Sequence, residues 1–340
     1  MSIMGPDVTA LTLHRMGFLS SEEKILLKEL FSSVSDILAL SSRDLSEILG
    51  RRVPVKSWKP REILGKAEGD AEVLSKGEMD YVVLGEKDYP PQLAEIYDPP
   101  YLLFYRGKLP ENERPSLAVV GTRYPTSAAL DTAFDLSFQA ADAGVPVISG
   151  LALGVDTAAH QGALHGRGYT LAVLGCGCDR LYPRSSAGVG YGILSSGGCI
   201  ASEYPPGTEP LPYHFPQRNR ILSGLSRGVV VVQAPERSGA LITADFALEQ
   251  GRDLFVVSPL LQGPHNQGCR NLSESGAPAI DALEDILQEW EMHRDLPLKR
   301  RFEEAGTDTG RMLALLLKKE IEGTLVRYRG KTYRRMYQHG

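Results

Sequence analysis

The sequence lacks the features by which several classes of protein are recognised. Only four cysteines occur among 340 residues, and none forms a CxxC pair or a cysteine-histidine cluster with zinc spacing, so neither a disulfide scaffold nor a zinc site is expected. No apolar run approaches the roughly 18 residues of a membrane helix, and no secretory signal is recognisable. We therefore expect a cytoplasmic protein that needs no membrane, metal or cofactor.

An excess of positive charge is also absent. The net charge is −5 and the isoelectric point is near 5.9, whereas proteins that bind nucleic acid commonly carry surplus lysine and arginine. Because charges are screened beyond a Debye length of about 10 Å, a basic crevice can nevertheless exist in an acidic chain. Any nucleic-acid site in this chain must therefore be local.

The sequence pattern divides the chain into three regions. Residues 1–75 show apolar residues at helical spacing and no strand, which predicts a small helical N-terminal domain. Residues 76–282 begin with a covering segment rich in proline and tyrosine, then alternate short apolar runs with helical stretches. Residues 283–340 end in two alternating segments around Gly330, which predict a β-hairpin in a short C-terminal module.

The apolar runs of the central region predict an α/β fold of extended Rossmann-like type. They are rich in valine and isoleucine and lack polar alternation, as required of strands covered on both faces, so the sheet should be doubly wound and mainly parallel. The runs cover residues 117–120, 145–148, 170–174, 199–202, 229–232 and 254–257.

Small residues and arginines follow these runs. The turns after parallel strands lie together at the carboxyl edge of a sheet, where ligands bind. Serine or threonine before a helix leaves amide groups facing that edge, and guanidinium groups match phosphate oxygens. The turns therefore predict one anion-binding crevice. They hold Gly121, Thr122, Arg123, Ser149, Gly150, Arg180, Arg184, Arg218, Arg220, Arg237, Ser238 and Gly239.

Aromatic residues share the same turns, and Phe215 is the foremost candidate for stacking on a base. Its neighbours are polar, and Pro216 is expected to keep it out of a helix. Two alternatives remain open: Phe215 fills the core beneath the loop, or Arg218 or Arg220 pairs internally with a carboxylate. The carboxylates considered for that pairing are Asp156, Asp179 and Glu203.

A series of motifs, in this order, resembles the DprA/Smf family of DNA-processing proteins over roughly residues 80–280. The motifs are Gly-Thr-Arg at 121–123, Ser-Gly-Leu-Ala-Leu-Gly-Val-Asp-Thr-Ala-Ala-His at 149–160, Gly-Cys-Gly-Cys-Asp-Arg-Leu-Tyr-Pro at 175–183, Ser-Glu-Tyr-Pro-Pro-Gly at 202–207, Phe-Pro-Gln-Arg-Asn-Arg at 215–220 and Ser-Gly-Ala-Leu-Ile-Thr-Ala at 238–244.

The resemblance implies a bacterial cytoplasmic protein that is not an enzyme. It implies a homodimer that binds and protects single-stranded DNA independently of sequence and loads the RecA recombinase during natural transformation and DNA recombination. By motif position, the resemblance makes Arg123, Arg184, Phe215, Arg218, Asn219 and Arg220 contacts to DNA. With the turn residues, the expected site comprises Gly121, Thr122, Arg123, Ser149, Gly150, Arg184, Phe215, Arg218, Asn219, Arg220, Ser238 and Gly239.

The sequence departs from the family pattern at several places. Thr122 replaces the usual serine and keeps its hydroxyl. Residues 258–260 stand where the family usually has a Pro-Gly pair, and residues 271–274 replace an apolar Leu-Ile element, so the local geometry is expected to differ there. The winged-helix domain common in the family is shortened to a final helix and hairpin within residues 312–337, so a reduced function is expected of it.

A nucleotide-binding or nucleotide-hydrolysing enzyme of the lysine-decarboxylase-like Rossmann group is the main alternative, because a fold does not determine a function. Its carboxylate would be Asp156, Glu203 or Glu236, but the glycine-threonine turn followed by glutamate that marks that group is absent. A P-loop triphosphatase and a dinucleotide oxidoreductase are disfavoured, because the sequence lacks both of their glycine fingerprints. A pure interaction scaffold would leave the crevice arginines unexplained.

Overall fold

The structure is a computed structural model that describes residues 5–110 and 114–292, together with the backbone of Leu325–Tyr328 and Lys331–Arg334. An N-terminal group of helices precedes a nine-stranded sheet, and a separate two-stranded sheet lies near the C-terminus. The predicted α/β, mainly parallel Rossmann-like fold is confirmed.

Five α-helices form the N-terminal region. They are α1 (Val8–Arg15), α2 (Ser21–Leu30), α3 (Val34–Ala39), α4 (Ser42–Ile48) and α5 (Pro60–Leu74). Polar side chains cap the first four by accepting hydrogen bonds from amides of the first turn, and they are Asp7, Ser20, Ser33 and Ser41. Helix α5 begins with proline, which suits a first turn because that position has no intrahelical amide bond to lose.

The central sheet is parallel except at one edge. Its strands are β1 (Asp80–Val83), β2 (Leu102–Gly107), β3 (Leu117–Val120), β4 (Val147–Ser149), β5 (Thr170–Val173), β6 (Cys199–Ser202), β7 (Gly228–Val231), β8 (Asp253–Val257) and β9 (Ala279–Ile280). The order is β1-β2-β6-β5-β4-β3-β7-β8-β9, and β1, β2 and β6 pair antiparallel. The chain reverses its direction of winding between β3 and β7, which makes this pair the topological switch point.

Helices connect the strands and cover both faces of the sheet. They are α6 (Pro91–Ala94), α7 (Ser127–Asp142), α8 (Val155–His165), α9 (Ala187–Ser195), α10 (His214–Gly224), α11 (Gly239–Glu249), α12 (Gln267–Glu274) and α13 (Leu283–Glu289). Strand β3 shows the alternation, because Ala118 and Val120 pack with α10 and α11 whereas Leu117 and Val119 pack with α7 and α8. This two-sided burial explains why the strands read as unbroken apolar runs.

The N-terminal helices share a hydrophobic core with the antiparallel edge of the sheet. Leu11 and Leu27 belong to the same buried cluster as Phe104 of β2 and Ile200 of β6. The His14 ring meets the Phe104 ring edge to face, with 5.2 Å between centroids. The helical region is therefore packed onto the sheet through a continuous apolar contact.

Strands β10 (Leu325–Tyr328) and β11 (Lys331–Arg334) pair antiparallel, so the predicted hairpin is confirmed. Of the rest of the module predicted for residues 283–340, residues 283–292 are described and contain α13, which packs against the core beside α7. The predicted final helix lies outside the described residues. Among the described helices, none is both long enough and apolar enough to cross a membrane. The four cysteines are buried and unpaired.

Candidate nucleic-acid interface

A crevice of about 390 Å³ opens at the switch point between β3 and β7. One wall is the start of α10, and the other consists of the turns after β3 and β7. Most of the predicted site residues line it, namely Gly121, Thr122, Arg123, Phe215, Arg218, Asn219, Ser238 and Gly239. Ser149, Gly150, Arg184 and Arg220 do not line it.

Phe215 stands half-buried at the mouth of the crevice and belongs to none of the three buried core clusters. The exposed Arg123 guanidinium lies over its ring, 5.6 Å from the centroid, which is a cation–π contact. The Tyr182 ring lies on another side, with 5.7 Å between centroids. The prediction that Pro216 keeps Phe215 out of a helix is wrong, because proline is tolerated in the first turn of α10, where amides lack intrahelical partners.

Arg218 lies inside the α10 wall with an exposure of 4%, and its guanidinium donates hydrogen bonds to backbone carbonyls. It donates to the carbonyls of Gly150, at 3.0 Å, and Val173, and its Nε donates to Asn219 Oδ1. Burial lowers the pKa of Arg218, while the charge of Asp156 raises it. The expectation that Arg218 offers a free fork to phosphate therefore needs correction: this side chain shapes the floor of the crevice.

Asp156 is the carboxylate at that floor. It is buried and its Oδ2 accepts a long hydrogen bond from the Ala152 amide, at 3.4 Å. Burial raises the pKa of Asp156 above its ordinary value, although the nearby Arg218 guanidinium acts in the opposite direction. The positive charge of Arg218 thus offsets a carboxylate that would otherwise repel phosphate.

Arg220 does not line the crevice, and its guanidinium is paired within the protein. Its Nη1 and Nη2 donate to the two Glu203 oxygens at 2.6 and 2.7 Å, and its Nε donates to Asp98 Oδ2 at 3.2 Å. Burial lowers the pKa of Arg220, but the hydrogen bonds and the charge of Glu203 outweigh that effect and raise it. The internal pairing with Glu203, left open by the sequence, is the one observed, because carboxylates occupy the fork.

Ser149 and Gly150 lie beneath the crevice. Ser149 is fully buried and its Oγ donates to the Val119 carbonyl at 2.7 Å, so its hydroxyl joins two strands. A Cβ atom on Gly150 would stand 2.5 Å from Arg218 Nη2, which explains the need for glycine there. Arg184 begins a short 3₁₀ turn after Tyr182-Pro183 and is exposed outside the crevice.

Two helices near the crevice begin with a side-chain cap, and of these two α11 has its first residues in the crevice lining. Thr126 caps α7 by accepting from the Ala129 amide at 3.2 Å, and Ser238 caps α11 by accepting from the Ala240 amide at 3.3 Å. Asn219 Nδ2 donates to the Gly239 carbonyl at 3.2 Å and so ties α10 to the start of α11. The positive end of the α11 dipole therefore faces the crevice.

Two exposed arginines remain at the crevice. Within residues 5–110 and 114–292, no carboxylate forms an ion pair with Arg123 or Arg237. Arg237 is among the arginines of the predicted anion-binding crevice, but it is not among the DNA contacts expected from the sequence. The sequence feature that could have identified Arg237 as a site residue is its position directly before Ser238 and Gly239, where α11 begins.

Proteins of one family are similar to this chain over most of its length. A family model described as DNA recombination-mediator protein A matches residues 80–291. DNA processing protein DprA of Streptococcus pneumoniae is 41% identical over 203 residues, which are 60% of this chain and 71% of that protein. Protein Smf of Borreliella burgdorferi is 32% identical over 279 residues, which are 81% of this chain and 86% of that protein.

Solved structures show the same relationship. The X-ray structure of Streptococcus pneumoniae DprA matches with a TM-score of 0.68 and 35% identity, covering 85% of this chain and 100% of that one. A structure concerned with the single-stranded DNA binding mode of DNA processing protein A from Helicobacter pylori matches with a TM-score of 0.55 and 28% identity, covering 62% and 96%. Since the family model matches more than half of the residues, this chain belongs to the DprA/Smf family of DNA recombination-mediator proteins.

Proposed function

We propose that the chain binds single-stranded DNA in the switch-point crevice, independently of sequence. The observation that carries this proposal is the Arg123–Phe215 contact, in which a guanidinium without a carboxylate partner among the described residues and a half-buried aromatic ring share one opening. Stacking on an aromatic face is available to every unpaired base, whereas bases in a duplex already stack on each other. The single-stranded DNA binding mode of the Helicobacter pylori relative supports the same ligand.

The residues divide into those that contact DNA and those that shape the crevice. In the proposal, the Arg123 and Arg237 side chains neutralise phosphates. The backbone amides at Gly121, Ser238 and Gly239 let a further phosphate approach closely at a helix end. Other residues hold the crevice in shape. They are Thr122, which is buried and accepts from the Tyr124 amide, together with Ser149, Gly150, Arg218 and Asn219.

The strand is proposed to continue from Phe215 toward the turn after β5. Tyr182 contacts Phe215 and is 42% exposed, so a second base can reach it. Arg184, two residues further on, is exposed and has no ion pair within the part of the chain that the structure describes. We assign Arg184 to a phosphate beyond the crevice.

The test is a fluorescence anisotropy titration of the wild type with a labelled oligothymidylate and with a duplex of equal length. We expect preference for the single strand and an affinity that falls with salt by a slope of about 0.7 per phosphate contacted. Phe215→Ala should lose about 1–3 kcal/mol at every salt concentration. Tyr191→Ala is the matched control, because Tyr191 is 62% exposed on α9 outside the crevice. Equal binding of Phe215→Ala and wild type would contradict the proposal.

Loading of RecA, homodimer formation and a cytoplasmic location are proposed from family membership. RecA loading predicts that the chain shortens the lag of RecA-dependent ATP hydrolysis on single strands covered by a single-strand-binding protein. Sedimentation of the purified chain tests the homodimer. A lag that does not change while DNA binding is intact would reject the loading role alone.

An activity on nucleotides is the second candidate, because a buried carboxylate lines the crevice. Of the three carboxylates considered from the sequence, Asp156 is the one in the wall. The charge of Arg218 and the amide of Ala152 stabilise the Asp156 carboxylate, which gives that carboxylate a structural role, so we favour the binding function. Release of free base from a nucleoside monophosphate, abolished in Asp156→Asn, would favour the enzyme instead.

A further inference from the structure

Helix α10 has a crevice side and an anchored side. Phe215, Arg218 and Asn219 line the crevice, whereas Arg220 reaches Glu203, the residue after β6, and Asp98 of the proline-rich segment. Phe215 and Arg220 are about 7.5 Å apart along the helix axis at 1.5 Å per residue. An ion pair at Arg220 can therefore fix where the Phe215 ring stands.

The proline-rich segment at 98–100 is in turn held by the N-terminal helices. Ser21 of α2 donates to the Pro99 carbonyl at 2.6 Å, and Tyr89 donates to the Pro100 carbonyl at 2.7 Å. Arg220 Nε also donates to the Asp98 carbonyl at 2.9 Å. The segment thus connects α2 to α10, because it accepts a hydrogen bond from Ser21 of α2 and another from Arg220 of α10.

Lys24 of α2 lies at the same place. Its exposure is 7%, and its Nζ is 5.7 Å from the centroid of the Tyr101 ring. Burial lowers the pKa of Lys24 to about 8, while the charges of Glu203, Asp98 and Glu23 raise it. The charges of Glu203 and Asp98 therefore act on both the buried Lys24 ammonium and the Arg220 guanidinium, although only Arg220 forms ion pairs with them among the described residues.

We propose that Arg220 is a positioning residue, which with the partly buried Glu203, the exposed Asp98 and the buried Lys24 forms a charge cluster that anchors helix α10 to the N-terminal helices. This inference rests on the proposed function, since the helix it anchors carries Phe215. Removal of one member leaves a buried charge without its partner, and the helix end must then move to let water in. The N-terminal region thereby controls DNA affinity without touching DNA.

Glu203→Gln distinguishes a positioning role of Arg220 from phosphate binding, because the two roles predict changes in single-strand affinity of opposite sign. A positioning role predicts that single-strand affinity falls, by about tenfold for a coupling of ordinary size between contacting residues, with an unchanged salt slope. If Arg220 instead binds phosphate once it is freed from Glu203, the substitution raises both the affinity for single strands and the slope with which that affinity falls with salt. The second result would overturn the proposal.

Lys24→Met tests the connection to the N-terminal helices, with Lys28→Met as its control. Both lysines lie on α2, but Lys28 pairs with Glu86 at 3.3 Å and Asp7 at 3.6 Å, away from α10. We expect weaker binding for Lys24→Met at an unchanged salt slope, and wild-type binding for Lys28→Met. Equal affinities for these two variants would overturn the connection, provided that circular dichroism shows both to be folded.

Hydrogen exchange without DNA keeps this inference separate from the proposed function. Glu203→Gln and Lys24→Met should speed amide exchange across residues 214–224, whereas Lys28→Met should not. Faster exchange in a chain that binds no DNA would support the anchor and reject the proposed function. Unchanged exchange in α10 would reject the anchor, whatever the DNA affinity.

Discussion

The two walls of the crevice use arginine in different ways. On the α10 wall, Arg218 is buried and donates to the carbonyl of Gly150, directly after β4, and to that of Val173 in β5. On the opposite wall, Arg123 and Arg237 are exposed and have no carboxylate partner within residues 5–110 and 114–292. One motif-rich sequence therefore contains arginines that build the shape of a site and arginines that supply its charge, and burial separates the two groups.

The largest expected effect is on the α10 wall. Arg218→Met leaves Asp156 buried without its neighbouring cation and removes donors from the Gly150 and Val173 carbonyls. A buried charge left without compensation, together with buried carbonyls left without donors, costs several kcal/mol, about 3–5, so we expect a large drop in melting temperature and loss of DNA binding. Arg237→Met is the counterpart on the other wall and should melt like wild type. If both variants melt alike, the two walls do not differ in the way described.

A smaller effect on the same wall is expected from Gly150→Ala. The new methyl group would stand 2.5 Å from Arg218 Nη2, so the guanidinium must shift and its carbonyl contacts lengthen. Overpacking of this kind costs about 1–3 kcal/mol. Chemical denaturation measures the loss, and Gly188→Ala on α9 is the control because nothing lies within 4 Å of its added Cβ. A Gly150→Ala chain as stable as the control would show that Arg218 is not held tightly.

On the charged wall, Arg237→Ala should change affinity without changing stability. Loss of one phosphate contact reduces the salt slope for single strands by about 0.7, and the affinity at low salt falls accordingly. The measurement is a set of binding isotherms at several salt concentrations, with thermal melting in parallel. An unchanged slope would remove Arg237 from the DNA-contacting group.

The smallest effect at neutral pH concerns His160, which is fully buried on α8 close enough to Arg218 to feel its charge. Its Nδ1 is 2.8 Å from Thr170 Oγ1, and its Nε2 has no hydrogen-bond partner among the described residues. Burial, with a contribution from Arg218, lowers the pKa of His160 from 6.5 to about 3. Between those values the unfolded chain binds a proton that the folded chain does not, so stability falls as the pH falls.

His160→Gln should therefore flatten the dependence of unfolding free energy on pH by one proton between pH 6.5 and about 3. His14 is also buried, with a pKa held well below its ordinary value first by burial and then by Lys24 and Arg15, so part of the slope remains. Denaturant titrations at stepped pH measure the difference. Parallel curves for variant and wild type would contradict the assignment.

The sequence predicted the strands well because burial on both faces leaves a clear mark. The run at 117–120 coincides with β3, and the run at 199–202 coincides with β6. The turn residues at 121–123 and 238–239 meet in one crevice because parallel strands end at the same edge. Local pattern and topology were sufficient for this part of the site.

The roles of Arg218 and Arg220 could not be read from the sequence. They are two residues apart on one helix, yet one turns toward strand carbonyls and the other toward Asp98, 122 positions earlier in the chain. These hydrogen-bond partners depend on how the proline-rich segment and the N-terminal helices pack, and a short sequence motif contains no information about that packing. The motif identifies the helix, and tertiary packing decides which partners its arginines take; both are engaged within the protein.

The apolar core shared by the N-terminal helices and strands β2 and β6 makes the helical region inseparable from the sheet. A chain shortened to begin at residue 76 would expose Phe104, Ile200 and Leu174, which are almost completely buried in the full protein. Uncovered side chains of this kind, next to the end strands of a sheet, promote self-association. A trimmed fragment should therefore aggregate, even though the family signature lies wholly within it.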